Sequence, residues 1–302
     1  MTPFFSVIIP LYNKEDFIKT TLDSALKQNF IDYEIIIIND GSTDNSLSVV
    51  EKINDKKIKI YSQKNSGVST ARNNGIKFAN GKYIAFLDAD DYWFPNHLSE
   101  LNRAISAYPE YKIFCNNYKV ETKKNTYKEN RFSYLPKPEF EDLYIIQNYF
   151  KSSLIADIAW TSAVCIEKKL ILDNDFFFDP DIISIQDIDL WTRLGIKHSF
   201  IFNKRETTIY ALFVFDSLSD SKNIDNKALL ISKNKNSEGN TPYLKSYLDQ
   251  NRFAIANQYK ILGKKRKFKE FKSQINLSNL SFKRLVLLHL PHWLIKLLLN
   301  FR

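Results

Sequence analysis

"YIAFLDADDYW", Tyr83–Trp93, begins as a buried strand and ends in acid. Tyr83, Ile84, Ala85, Phe86 and Leu87 form an apolar run of strand length. Asp88, Asp90 and Asp91 then place three carboxylates within four residues. Like charges so close oppose joint ionisation unless something positive sits among them.

The chain around this stretch alternates strand and helix. Phe4 to Ile9 is a short β-rich run closed by Pro10, and Phe17, Ile18, Thr21, Leu22, Ala25 and Leu26 recur at helical spacing. "YEIIIIND" reads as a strand buried on both faces. "GSTDNS" is a turn, Leu47, Val50 and Ile53 mark a second helix, and Ile58–Ser62 is a third strand. "GVSTARNNGIKFANG" predicts a third helix ended by Gly81, and Tyr83–Leu87 is the fourth strand. This order predicts an α/β, Rossmann-like, mostly parallel central sheet flanked by helices. In such sheets ligands bind beyond the carboxyl ends of the strands. Tyr12 and Asn13, Asp40, Lys64 and Asn65, and Asp88–Asp91 therefore belong to one rim.

After Cys115 the alternation fades. Residues 116–138 read as a polar, Lys-rich excursion, with order returning at Ile158–Ile166, at "FFFDPDIISIQDIDLWTRLG" and at the apolar run Ile209–Phe215. Asp216 to Thr241 reads as loop-rich, and the last sixty residues as helical.

The bulk numbers narrow the class. The 302 residues are 44% hydrophobic and 25% charged, ample for a globular core. Cys115 and Cys165 read as separate buried thiols in a reducing compartment. The N-terminus lacks the form of a signal peptide, and no apolar stretch reaches membrane-spanning length. The four histidines show no ligand spacing, which argues against zinc. From Lys260 onward eleven basic residues stand against one acid, Glu270, so the tail carries +10 and the remainder −1.

Aspartates at a strand end suit a hard cation, Mg²⁺ or Mn²⁺, completed by water and phosphate. Taken alone, "DADD" is more simply an acidic helix start, because Asp is favoured at helix N-termini. A dinucleotide oxidoreductase is disfavoured: "PLYNKE" after the first strand contains no glycine.

"SVIIPLYN", "EIIIINDGSTDNS", "NSGVSTARNNG", "YIAFLDADD" and "SIQDIDLWTRL" occur in that order. Together they resemble the family 2 glycosyltransferases of bacterial polysaccharide and lipopolysaccharide synthesis, over about Phe4 to Phe215. The resemblance implies a GT-A-like fold and inverting transfer of a hexosyl or N-acetylhexosaminyl group from a nucleotide sugar, UDP-linked by family habit. It implies two regions, 1–115 for the nucleotide sugar and 116–215 for the acceptor; the residues of 216–302 read as a separate helical basic region.

Roles carry over residue by residue. Pro10, Tyr12 and Asn13 resemble the first-strand motif beside base and ribose. Asp40 is similar to the aspartate that bonds the uracil imide. Lys64, Arg72 and Asn73 fall where the family flanks the nucleotide, although Arg72 reads equally well as a surface arginine. In "DAD", Asp88 resembles the ribose contact, Ala89 lies between, and Asp90 resembles the metal ligand under the diphosphate. Asp91 supports them or caps a helix. Asp187 resembles the base that deprotonates the acceptor, with Asp189 and Trp160 in support and Trp191 a wall of the sugar pocket. The same stretch also reads as a plain helix start with Leu190, Trp191 and Leu194 in the core.

Two departures stand out. Gln186 replaces the family's glutamate before the base. "YALF", Tyr210–Phe213, lacks the usual Arg and His, with Ala211 and Phe213 in their places. The latter leaves room for a silent nucleotide-sugar-binding scaffold in a glycan-assembly complex.

The tail "LSFKRLVLLHLPHWLIKLLLNFR", Leu280–Arg302, reads as a basic amphipathic segment lying on an anionic membrane, or as a helix packing on the body. The first reading makes the protein cytoplasmic and peripheral on the inner face of the cell membrane. Its acceptor would then be a saccharide or lipid-linked saccharide. Nucleic acid is not expected as a partner, because no recognition motif surrounds the basic run.

Overall fold

The computed structural model describes residues 2–123, 125–211, 224–291 and 294. The chain forms two compact units, Met1–Ser217 and Leu218–Arg302. The first begins β1 (Phe5–Leu11), α1 (Ile18–Leu26), β2 (Tyr33–Asn39), α2 (Ser46–Glu51), β3 (Ile58–Ser62), α3 (Val68–Phe78), β4 (Tyr83–Phe86). It continues β5 (Tyr92–Trp93), α4 (His97–Ala107), β6 (Ile113–Lys123), β7 (Thr126–Lys128), β8 (Leu143–Ile146), α5 (Tyr149–Ser152). A single 3-10 turn at Thr161–Ala163 precedes β9 (Val164–Glu167), α6 (Lys168–Asn174), α7 (Gln186–Lys197) and β10 (Phe200–Ala211).

The sheet runs β3-β2-β1-β4-β9-β6-β10-β5. Its first four strands are parallel, with Ile8 of β1 level with Ile36 of β2 and Phe86 of β4. Strands β1, β2 and β4 are buried along their whole length, as apolar strands covered by helices on both faces must be. Pro10 lies beyond the last β1 residue paired with β4, so no ladder bond on that side is lost to its missing N–H. Strand β9 then runs antiparallel between β4 and β6 and joins this nucleotide-type half to the mixed second half.

Three expectations need correction. The polar excursion from Asn116 begins as strand, because β6 continues to Lys123 and β7 follows at Thr126–Lys128. Its first two polar residues are buried with partners: Asn116 donates to the His97 carbonyl at 3.1 Å, and Asn117 to that of Lys204 at 3.1 Å. Strand β10 starts at Phe200, not Ile209. The charged run Lys204–Glu206 hid it, at a place where the register with β6 shifts and Arg205 pairs with Glu100, Glu141 and Asp142. Helix α3 ends at Phe78, with Ala79 already extended. The part of the apolar run beyond Ala211, including Phe213, lies outside the described residues.

The second unit contains α8 (Ile224–Asn234), α9 (Leu244–Ile261), α10 (Lys265–Ser273) and α11 (Phe282–His289). Helix α8 therefore occupies part of the expected loop. The unit is organised around Asp249, fully buried, whose carboxylate takes Lys245 Nζ at 2.5 Å, Arg252 Nη1 at 2.9 Å and the Asn276 N–H at 3.0 Å. Lys260 Nζ donates to the carbonyls of Leu287 and Leu288 at 3.0 and 2.9 Å, a cation at the carboxyl end of α11. Leu288 is buried on this helix while Phe282 is 81% exposed.

Gly81 lies where the turn before β4 passes directly over β1. A Cβ there would meet Ser6 N at 2.5 Å and Phe5 C at 2.7 Å. These are backbone atoms of a central strand and cannot yield without disturbing the ladder. Gly81→Ala is expected to lower stability by about 1–3 kcal/mol through overpacking, read as a lower urea midpoint with an unchanged slope. An unchanged midpoint would refute the close approach.

Candidate active site

The loops after β1, β2, β3 and β4 meet at one rim, and each carries a device that shapes it. After β1, Asn13 takes a left-handed conformation at φ 49°. Its Oδ1 accepts from the Thr43 N–H at 2.8 Å, which ties the first loop to the second. Tyr12 beside it is 45% exposed. After β2, Asp40 is buried and accepts from Gln63 Nε2, the Ser66 N–H and the Gly67 N–H, each at 2.8 Å. Those three donors shape the loop that leads into α3. Lys64 in that loop is exposed.

The "ARNNG" helix accounts for two motif residues differently. Arg72 is 3% exposed, donates from Nη2 to Asp88 Oδ1 at 2.5 Å and lies 5.0 Å from the Phe178 ring centroid. Its Nε and Nη1 have no partner among the described residues, an unusual state for a buried guanidinium. Arg72 is therefore no surface arginine. Asn73 is a correction: its amide is spent on the backbone of Phe178, donating at 2.7 Å and accepting at 2.9 Å. It holds "FFFDP" in place, so its amide is committed to the backbone.

The positive charge among the aspartates is now visible. Arg72 pairs with Asp88, and Lys14 Nζ lies 2.8 Å from Asp90 Oδ2. Asp91 turns inward at 3% exposure, where burial, then the charges of Asp90 and Asp88, push its carboxyl well above the usual range. Its Oδ2 accepts from Ser162 Oγ at 2.5 Å and Trp160 Nε1 at 3.0 Å, and Oδ1 from the Ala211 N–H at 3.4 Å. Ala89 is buried, and its carbonyl accepts from Thr21 Oγ1 at 2.9 Å.

The segment Trp160–Thr161–Ser162 brings the second acidic motif to this rim. Ser162 Oγ accepts from the Asp88 N–H at 3.0 Å, and Thr161 Oγ1 donates to Asp187 Oδ2 at 3.2 Å. Neighbouring residues of one short turn thus touch "DADD" and Asp187. Asp187 is the second residue of α7, which starts after Ile185, a β-branched residue held at φ 61°, a strained conformation that fixes the helix start. Burial raises the Asp187 carboxyl above its ordinary value, the nearby Arg72 charge opposing it. Gln186 is buried, and its Oε1 lacks a partner among the described residues.

Asp189 and Trp191 point elsewhere. Asp189 is buried and holds Arg193 Nε at 2.8 Å, and Arg193 in turn donates to the Phe177 carbonyl at 2.6 Å. Trp191 corrects an expectation: it is fully buried beside Phe86 and Phe178 and forms no pocket wall. Position 191 falls on the inner face of an amphipathic helix, where an aromatic side chain supplies core. Sequence reasoning missed the roles of Lys14, Thr161 and Ser162, of which only Lys14 lies in a quoted stretch, "PLYNKE".

Comparison with known proteins agrees with this geometry. The profile of "Glycosyl transferase family 2" matches residues 6–171, more than half of the chain. The chain is 40% identical over 129 residues to the uncharacterized glycosyltransferase EpsJ of Bacillus subtilis, covering 42% of this chain and 38% of that one. It is 41% identical over 116 residues to the Escherichia coli UDP-Glc:alpha-D-GlcNAc-diphosphoundecaprenol beta-1,3-glucosyltransferase WfaP, covering 36% of this chain and 46% of that one. These matches thus span less than half the length of either relative. In fold it is similar to S. aureus TarS 1-349 in complex with UDP-GlcNAc, with TM-score 0.67, 20% identity, and coverage of 91% and 82% of the two chains. A GT-A-like sheet, acidic clusters at its rim and a family profile over most of that sheet lead to one conclusion: the chain belongs to glycosyl transferase family 2.

Proposed function

We propose that this glycosyltransferase moves a hexose or N-acetylhexosamine from a UDP-sugar to a hydroxyl of a saccharide or lipid-linked saccharide, with inversion, in cell-surface polysaccharide assembly. The observation that carries the reading is the Thr161–Ser162 turn, which joins Asp187 to the aspartate rim. The names of WfaP and of the TarS complex support a UDP-linked donor. Tyr12, Asn13, Asp40 and Lys64 would surround the base and ribose with Asp88.

Asp187 would accept the acceptor's hydroxyl proton as the new glycosidic bond forms. The unpaired N–H groups of Arg72 are suited to an anionic donor or to the charge that builds on its leaving group. Asp90, whose Oδ2 pairs with Lys14 Nζ, would hold a divalent cation in place of that pair. Among the described residues no three metal-ligating side chains gather, so an all-protein cage is not formed. One rim carboxylate completed by phosphate oxygens and water is a normal Mg²⁺ or Mn²⁺ arrangement. When bound, such an ion offsets negative charge on the departing diphosphate.

The second unit supports peripheral membrane association. Lys264, Lys265, Arg266, Lys267 and Lys269 are all exposed, as are Phe282 and Val286. Among the described residues no helix is long and apolar enough to cross a membrane. Residues beyond Pro291 other than Leu294, including Lys296 and Arg302 of the expected interfacial segment, lie outside the described residues.

Asp187→Asn is expected to cut transfer by about two to four orders of magnitude while UDP affinity stays unchanged; Asp189→Asn should cost less. A base works only when deprotonated, so the raised Asp187 pKa moves the acid limb of the rate profile to higher pH than an unperturbed aspartate would give. Arg72→Met removes a charge that lowers this pKa and should move the limb to higher pH. Near-normal transfer by Asp187→Asn in a nucleotide-release assay would refute the assignment.

Asp90→Ala should abolish the Mn²⁺-dependent part of UDP binding with the circular dichroism spectrum retained. Calorimetric titration with and without Mn²⁺ checks this, and an unchanged metal dependence would exclude Asp90 as the ligand.

Replacing Lys264, Lys265, Arg266 and Lys267 with Gln should weaken binding to phosphatidylglycerol vesicles by about 1 kcal/mol per charge. Sedimentation at rising salt measures it. Full-length protein that ignores such vesicles would remove the membrane from the proposal.

A further inference from the structure

An aromatic group stands beside the carboxylates and takes no part in the donor chemistry. Tyr118 on β6 is level with Thr208 on β10, and Tyr210 lies two residues beyond Thr208. Their side chains therefore leave the same face of the sheet. Trp160 packs against both, its ring centroid 3.8 Å from that of Tyr210 and 5.6 Å from that of Tyr118. Among the described residues the Trp160 side chain is half-buried, so part of it stays open to contact.

What sets the tilt of this ring is Asp91. The indole has one polar hydrogen, and it goes to Asp91 Oδ2 at 3.0 Å. Asp91 is itself immobilised, by Ser162 Oγ on the same oxygen and by Thr21 Oγ1 on its main-chain carbonyl at 2.9 Å. Asp88 and Asp90 carry ion pairs at the rim, whereas the Asp91 carboxylate is spent on Ser162, Trp160 and the Ala211 N–H. The residue after Trp160 is the one that holds Asp187.

We propose that Asp91 is a positioning residue for the acceptor: its bond to the Trp160 N–H fixes the indole so that its exposed part forms a stacking surface for an acceptor sugar ring. The electron-rich face of an indole suits the apolar C–H face of a pyranose. A ring stacked there lies one residue along the chain from the contact that holds the proposed base. The inference rests on the glycosyl-transfer reading for the use made of that ring.

The test titrates methyl β-glucoside and methyl N-acetyl-β-glucosaminide into UDP-saturated protein carrying isotope-labelled tryptophan, following the indole N–H signals. The Trp160 signal is the one lost in Trp160→Phe. It is expected to move with saccharide in the wild type and to be displaced before saccharide is added in Asp91→Ala. Asp91→Ala and Trp160→Phe should each raise half-saturating saccharide about tenfold with UDP affinity unchanged, and the double variant should add nothing further. Asp91→Asn keeps an acceptor oxygen for the indole and should stay within about twofold of wild type. Should Asp91→Ala fail to fold by circular dichroism, Trp160→Phe alone decides. A Trp160 signal indifferent to both saccharides overturns the inference. So does an Asp91→Asn as damaging as Asp91→Ala, or a loss of UDP affinity matching the loss of saccharide affinity. Failure of the glycosyl-transfer reading is separately visible, as no nucleotide release from any nucleotide sugar while the Trp160 signal still answers to saccharide.

Discussion

Three carboxylates at the end of one buried strand must be compensated, and the site follows from how this is done. Each aspartate has a different answer. Asp88 has the buried guanidinium of Arg72, Asp90 has Lys14, and Asp91 has hydrogen bonds and no cation. The three partners come from α3, the loop after β1 and the turn before β9. Charge compensation therefore draws three separate parts of the chain to one point. Remove any one, and a carboxylate in a poorly solvated place loses what keeps it tolerable.

The turn at Trp160–Ser162 extends the same logic to α7. Ser162 serves "DADD" twice, accepting from the Asp88 N–H and donating to Asp91. Thr161 reaches the other way, to Asp187. The strained Ile185 and the burial of Asp187 show that this junction is held by its surroundings against local preference. Arg72 acts on both acidic motifs, bonded to Asp88 and near enough to Asp187 to oppose the effect of its burial.

The second half of the sheet is built on polar pairing where the first half is built on apolar strands. His97 is fully buried, stacks on Trp93 with centroids 4.0 Å apart, and bonds Thr207 Oγ1 through Nδ1 at 2.7 Å. Burial pushes its pKa down to about 3, so it is a neutral core group. Asn116, Asn203 and Glu100 continue the network between β6, β10 and α4. These side chains are affordable inside because each meets a partner from a distant segment.

That difference explains how far the sequence could be read. Strands β1 to β4 and their helices were legible because strand-length apolar runs and helical spacing are local signals, and five motifs in order identified the family. The aspartates at the strand ends were legible for the same reason: the rim is defined by where strands stop. Strand β6 beyond Cys115 and the start of β10 were not, because Asn116, Asn117 and Lys204–Glu206 look like loop until partners some ninety residues away are in place. Trp191 was assigned to a pocket although its helical position already placed it in the core. The counter-charge on Asp90, the bond from Trp160 to Asp91 and the link from Thr161 to Asp187 are contacts between segments with no common local pattern. The sequence by itself determined the parallel half-sheet, its acidic rim and the family. Only the tertiary structure decided which carboxylate faces a cation, which faces inward, and which residues join the two acidic motifs, since those depend on side chains that folding alone brings within hydrogen-bond distance.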